Sequence, residues 1–165
     1  MGTRSIICIV KDGVYKLAKY CQWDGYPTGV GEGIANCLRQ EGFLDRLKEK
    51  CDLLYDMTDE EERAAWRSIG VDIVASGGSV RLDDYSRFTA RYPQISRDKS
   101  YEILALIVTT SKPIGVRNDL DFAADSLFCE WGYVIDFDKE TFEIYRGFNE
   151  RPLTENDRFY FLAEK

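Results

Sequence analysis

The chain has 165 residues, with 29 acidic and 22 basic side chains, a net charge of −7 at pH 7 and no histidine. Without histidine it cannot use Ser-His-Asp or Cys-His catalysis, and most catalytic zinc sites and histidine-based pH switches are excluded. The acidic balance also disfavours nonspecific attraction to nucleic acid or to an anionic membrane surface.

The cysteines and the apolar segments indicate where the protein acts. The five cysteines form an odd set without a CxxC pair, which predicts reduced thiols in a cytoplasmic protein, with no zinc site and no disulfide framework. The apolar run 6–10 is too short for a signal-peptide core, and no segment approaches the length of a membrane span. We expect one globular domain over residues 1–165 that does not associate with a membrane.

The chain opens with the pattern of a β-hairpin. Residues 5–10 form a continuous apolar run, and Asp12-Gly13 is a strong two-residue turn signal. Residues 14–21 supply the returning strand. A glycine-rich stretch over 22–33, which includes Pro27, then predicts irregular structure.

The middle of the chain predicts helices. Apolar side chains recur there at spacings of three and four residues, as in amphipathic helices. Thr58 and Glu61 have the spacing of a capping box at the start of one of them. In chain order, the predicted helices cover residues 32–40, 43–55, 58–69, 82–91 and 96–108.

The last third predicts a second hairpin. Trp131, Tyr133 and Ile135 alternate along one strand, and Phe142 and its alternate neighbours lie on the return. Residues 158–162 predict one more strand. The order of elements predicts an α+β domain, in which an antiparallel sheet is built from the N-terminal and C-terminal hairpins and the central helices pack on it.

Two aromatic segments at predicted strand ends form the main candidate site. Their rings offer flat faces for a planar ligand, and their carboxylates accept hydrogen bonds from polar groups. Arg97, or Arg4 in its place, supplies the cation that a phosphate group needs. The predicted ligand-binding residues are Gln22, Trp23, Asp24, Tyr26, Arg97, Glu130 and Trp131. The competing structural interpretation is that the aromatic rings clamp a tight turn onto the core while Asp24 caps backbone amides.

Other patterns favour structural roles over functional ones. Residues 29–33 place glycines before a helix, as phosphate loops do, but Glu32 lies where a phosphate would sit. The acidic residues between 119 and 130 lack the spacing of a calcium loop. Cys21 needs a cationic neighbour or a helix N-terminus to become a nucleophile. Thr3 would act as an N-terminal nucleophile only after removal of the first two residues.

Four runs carry a resemblance to a known family. They are the segments 3–5 (TRS), 20–27 (YCQWDGYP), 92–98 (YPQISRD) and 121–133 (DFAADSLFCEWGY). On these runs the chain resembles a scattered family of small, mostly uncharacterised proteins of phages, prophages and some microbial genomes. The resemblance implies an accessory or conflict-related role, such as sequestering a ligand or inhibiting a partner, and it assigns no catalytic residue. The order of elements is also similar to that of N-terminal nucleophile hydrolases, a likeness of fold alone.

The sequence therefore favours a non-enzymatic protein that binds or sequesters a small polar, nucleotide-like ligand, without a metal or cofactor. Two alternatives stay open. The first is a protein-interaction module that inhibits a basic partner protein through its acidic surface. The second is a hydrolase that uses Thr3 or Cys21. An oligomer is compatible with each of them.

Overall fold

The structure is a computed structural model that describes residues 2–125, 128–147 and 154–163. Residues 126 and 127, which belong to the fourth run of the resemblance, lie outside these ranges, as does Met1. The strands are β1 (Ser5–Lys11), β2 (Val14–Cys21), β3 (Leu54–Asp56), β4 (Ile114–Val116), β5 (Trp131–Asp136) and β6 (Thr141–Arg146). The helices are α1 (Glu32–Leu38), α2 (Phe43–Lys50), α3 (Asp59–Ser68), α4 (Leu82–Arg91), α5 (Glu102–Thr109) and α6 (Tyr160–Ala163).

The two predicted hairpins form a four-stranded sheet in the order β2-β1-β5-β6. Asp12 and Gly13 adopt positive φ angles of 55° and 71°, as a tight hairpin turn requires. The α+β class is confirmed, but the sheet is mixed, because β1 and β5 run parallel with Ser5 opposite Trp131. The prediction of a purely antiparallel sheet therefore fails at its central pair. The apolar pattern shows that β1 is buried on both faces, but it does not show the direction of the neighbouring strand.

Both faces of the sheet are covered. One face packs under α1, α2 and α5, and the other lies under residues 120–124, Cys129 and the C-terminal segment 154–163. The first face contributes Ile7, Ile9, Leu17, Tyr133 and Ile135 to the core. The second face contributes Ile6, Cys8, Val10 and Val134, which meet Cys129, Phe159 and Leu162.

Helices α3 and α4 make a smaller cluster of their own. Trp66 stacks on Phe88 with their ring centroids 3.8 Å apart and the planes 3° from parallel. The capping box of α3 forms as predicted, with Thr58 and Glu61 each bonded to the other's backbone amide. None of the described helices has the length and apolar character that crossing a bilayer requires.

Three predicted elements differ from the structure. The helix predicted over 43–55 ends at Lys50, and residues 54–56 pair in parallel with β4. The helix predicted over 96–108 begins only at Glu102, because residues 96–98 are bonded to β2 and the turn after it. Residues 158–162 were predicted as a strand, yet α6 begins at Tyr160. The buried Phe159 and Leu162 lie three residues apart, a spacing typical of a helix.

Candidate functional site

Two of the four resemblance runs meet at the end of β2. The Gln22 amide donates to the Arg97 carbonyl at 2.9 Å. The Trp23 indole N–H donates to the Asp98 carboxylate at 2.8 Å. The structure therefore brings Gln22, Trp23 and Arg97, three of the predicted site residues, into one small region.

The rest of the aromatic turn is bonded to itself and to the core. The Tyr26 hydroxyl donates to the Asp24 carboxylate at 3.0 Å. The buried Tyr133 hydroxyl donates to the Gly25 carbonyl at 2.6 Å, and the Gly25 amide donates to the Thr3 carbonyl at 2.8 Å. The turn is therefore fastened to the core through Tyr133 and the Gly25 backbone, whereas Trp23 and Tyr26 keep 49% and 41% of their surface exposed. The Asp24 carboxylate accepts from the Tyr26 hydroxyl and not from the backbone amides that the structural interpretation assigned to it.

The second aromatic segment lies at the same end of the sheet as the turn, two strands away from it. The Arg4 amide donates to the Glu130 carboxylate at 2.8 Å. Trp131 is half-buried against the helix-covered core, and the Arg146 guanidinium lies 5.7 Å from its ring centroid. Since Ser5 pairs with both Cys21 and Trp131, these two residues stand two strand spacings apart, about 10 Å. Both aromatic segments thus occupy one end of the sheet.

The glycine-rich run is a close-packing element. Residues Pro27–Gly31 form a π-helical turn that leads directly into α1, where the sequence predicted irregular structure. A Cβ atom on Gly31 would lie 2.9 Å from the Tyr133 ring, and one on Gly33 would lie 2.4 Å from the Tyr101 ring. The small residues are required because two tyrosine rings press against this backbone.

Cys21 has the surroundings of a structural thiol. It is fully buried, and burial raises its pKa to about 11, although Lys19 and the Ser5 hydroxyl act in the opposite direction. Burial likewise raises the pKa of Cys129 to about 12. At neutral pH these thiols stay protonated, so the geometry does not favour a thiol nucleophile.

A cavity of about 540 Å³ lies beside the outer edge of β2, between that edge, α4 and the segment 93–97. We call it the β2-edge cavity. Its charged lining residues are Lys19, Arg97, Arg117 and Asp119. Its volume lies in the range of small-molecule sites, and its three cations and one carboxylate contrast with the net charge of −7. Arg97 is the only one of the seven predicted site residues in this lining.

Lys19 is the deepest cation of the β2-edge cavity. The residue is 4% exposed, and its Nζ donates to the Ser96 carbonyl at 2.6 Å and to the Tyr20 carbonyl at 3.3 Å. Burial lowers the pKa of this amine, although nearby carboxylates partly oppose the effect. An anion in the cavity would compensate for the missing hydration of the charged amine.

Arginines stand on either side of this lysine. The Arg97 guanidinium lies 5.7 Å from the ring centroid of Tyr85, another lining residue. Arg117 is paired with Glu62 of α3. Both arginine side chains are exposed, so they can reach a ligand at the mouth of the cavity.

Asp119 is hydrogen-bonded to the outer edge of β2, and its carboxylate is a hydrogen-bond acceptor in the lining of the cavity. Its amide donates to the Ala18 carbonyl at 2.8 Å, and its carboxylate accepts the Tyr20 amide at 3.1 Å. Burial raises the pKa of this carboxyl, while the Tyr20 amide and the charge of Arg117 act to lower it. In the parts of the chain that the structure describes, no group of three acidic or cysteine side chains is arranged to hold a metal ion.

Sequence reasoning missed Lys19, Arg117 and Asp119. One signal for Lys19 was present, because Leu17, Lys19 and Cys21 alternate along β2 and so share its core-facing side. A lysine on the inward side of a strand is costly and indicates a specific role. Arg117 and Asp119 follow the three-residue strand β4, and no periodic pattern marks them.

No protein-family model, curated protein or solved structure matches the chain.

Proposed function

We propose that this chain is a non-enzymatic protein that binds or sequesters a small anionic ligand in the β2-edge cavity. The observation that carries the proposal is the convergence of Lys19, Arg97 and Arg117 on one cavity of an acidic chain. Sequestration is also the kind of role that the family resemblance implies.

Lys19 has a donor available for such a ligand. An ammonium group has three N–H donors, and the two bonds to Ser96 and Tyr20 use two of them. Among the described residues, no carboxylate lies within ion-pair distance of its Nζ. Two fixed carbonyls orient the amine before the ligand arrives, which reduces the entropy lost on binding.

The lining of the β2-edge cavity is consistent with binding without catalysis. The two candidate nucleophiles of the sequence, Thr3 and Cys21, are not among the lining residues of the cavity. A cytoplasmic location fits the five cysteines, which are all free.

Isothermal titration calorimetry with nucleoside monophosphates and inorganic pyrophosphate tests the proposal. We expect at least one of these anions to bind, and Arg97→Gln to weaken it by about tenfold because a charge-assisted contact is lost. Arg46→Gln is the matched control, since Arg46 is an exposed arginine of α2 outside the cavity. The proposal fails if none of the anions binds, or if the two variants bind with equal affinity.

A further inference from the structure

We infer that the ligand of the β2-edge cavity is a nucleoside monophosphate, whose phosphate meets Lys19 and Arg97 and whose base lies on an apolar wall. This inference rests on the proposed function and specifies the ligand class. The structural basis is that the lining combines three kinds of surface, cationic, apolar and hydrogen-bond accepting, in one volume of about 540 Å³.

The apolar wall comes from Val80, Leu82 and Ile95, next to the Tyr85 ring. Leu82 begins α4 and is 78% exposed, although its neighbours on the wall are half-buried. An inorganic anion or a sugar phosphate would leave this wall in water. A planar base can cover it and gain the free energy of burying apolar surface.

The hydrogen-bond acceptors in the cavity lining, Asp119 and Gln94, require hydrogen-bond donors on the ligand. Asp119 is a carboxylate and therefore repels a second anionic group at its side of the cavity. Gln94 also lines the cavity; its carboxamide nitrogen donates to the Gly115 carbonyl at 3.2 Å, and its oxygen can accept a further hydrogen bond. Ribose hydroxyls supply donors of this kind, and they stand between the phosphate and the base in a nucleotide.

The size of the cavity agrees with a ligand of this kind. Its volume of about 540 Å³ suits a molecule with several linked groups, and it is larger than a single phosphate ion needs. One nucleoside monophosphate can therefore contact all three kinds of surface at once.

Calorimetry with three related probes separates the contributions of the phosphate and of the base to the binding affinity. The probes are AMP, adenosine and ribose 5-phosphate. If GMP, CMP or UMP binds more tightly than AMP, that nucleotide and its own nucleoside replace AMP and adenosine. We expect the nucleotide to bind about tenfold more tightly than either fragment, because only the nucleotide uses both the cations and the wall.

A variant on the wall sharpens the test. Leu82→Ala should weaken the nucleotide severalfold and leave ribose 5-phosphate unchanged, whereas Leu44→Ala, on an exposed leucine of α2 outside the cavity, should change neither. Equal affinity for ribose 5-phosphate and the nucleotide would overturn the inference and leave the proposed function standing. Equal affinity for the nucleoside and the nucleotide, or no binding of any of these probes, would also overturn the inference. The proposed function falls with it only if inorganic pyrophosphate fails to bind as well.

Discussion

Tyr133 holds the turn after β2 through a buried hydrogen bond, from its hydroxyl to the Gly25 carbonyl at 2.6 Å. Tyr133→Phe leaves that carbonyl without its partner and should lower the free energy of unfolding by about 1–3 kcal/mol. Urea denaturation measures the change. Tyr26→Phe is the control, since the Tyr26 hydroxyl bonds to Asp24 at the surface, and it should unfold like the wild type. If the two variants prove equally stable, the bond does not have this role.

The cysteines give a second test at the level of single residues. Burial raises the pKa of Cys21 to about 11, whereas Cys37 is only half-buried. In the native protein at pH 7.5, iodoacetamide should modify Cys37 first and Cys21 only after unfolding, as followed by peptide mass mapping. Unfolded protein, in which all five thiols should react alike, is the control. Rapid native modification of Cys21 would contradict the assignment and revive the thiol-based alternative.

Among the elements, α3 depends on the capping box at its start. Thr58→Ala removes the acceptor for the Glu61 amide and should cost about 1 kcal/mol of stability. Thr109→Ala, which changes an exposed threonine at the end of α5, should cost much less. Circular dichroism during urea unfolding compares the two, and an equal cost would show that the cap adds nothing special.

The elements that the sequence predicted well are those with local causes. The Asp12-Gly13 turn and the Thr58 cap act within a few residues, so the first hairpin and α3 were predictable. The short strands β3 and β4 were not, because three residues carry no readable alternation. Residues 96–98 gave a helical pattern but lie along β2, where tertiary hydrogen bonds override local preference.

The candidate site was predictable only in part for a similar reason. The sequence identified Arg97 and the end of β2, because turn chemistry and charge are visible in a linear chain. It did not show that Arg97, Lys19 and Asp119 surround one cavity, since their approach depends on how segment 93–98 packs on the edge of β2. Long-range packing of this kind produces no periodic pattern in the amino-acid sequence.

For the whole molecule, an ion-pair cluster attaches the C-terminal segment to the sheet. The Arg158 guanidinium donates to Asp136 at 2.7 Å and also pairs with Glu143. The side chains of Asp136 and Arg158 are 3% and 11% exposed. Because Phe159 and Leu162 cover one face of the sheet, the Arg158 ion pairs help to hold that cover in place.

The cluster predicts how stability depends on pH. Burial acts to raise the pKa of Asp136, but hydrogen bonds from the Lys139 amide and Arg158 outweigh it and hold that pKa below its ordinary value. A depressed carboxyl pKa stabilises the fold fully above the unfolded value, and this contribution is lost as the pH falls through the folded value. Wild-type stability should therefore fall between about pH 5 and pH 2.

Arg158→Met should remove much of that acid-dependent loss and lower the stability at pH 7 by about 3 kcal/mol, because buried carboxylates lose their partner. Arg87→Met, at an exposed ion pair with Asp84, is the matched control and should keep the wild-type pH profile. Urea denaturation from pH 7 to pH 3 measures both. An unchanged profile in Arg158→Met would refute this role for the cluster.

The binding of an anion in the β2-edge cavity is tested most directly by NMR, with amide chemical shifts recorded as AMP is added to ¹⁵N-labelled protein. We predict that the largest changes fall on Lys19, Tyr20, Arg97 and Asp119, which line the cavity. Changes centred on Trp23, Tyr26 and Trp131, or an absence of changes with AMP, the other nucleoside monophosphates and inorganic pyrophosphate alike, would contradict the account.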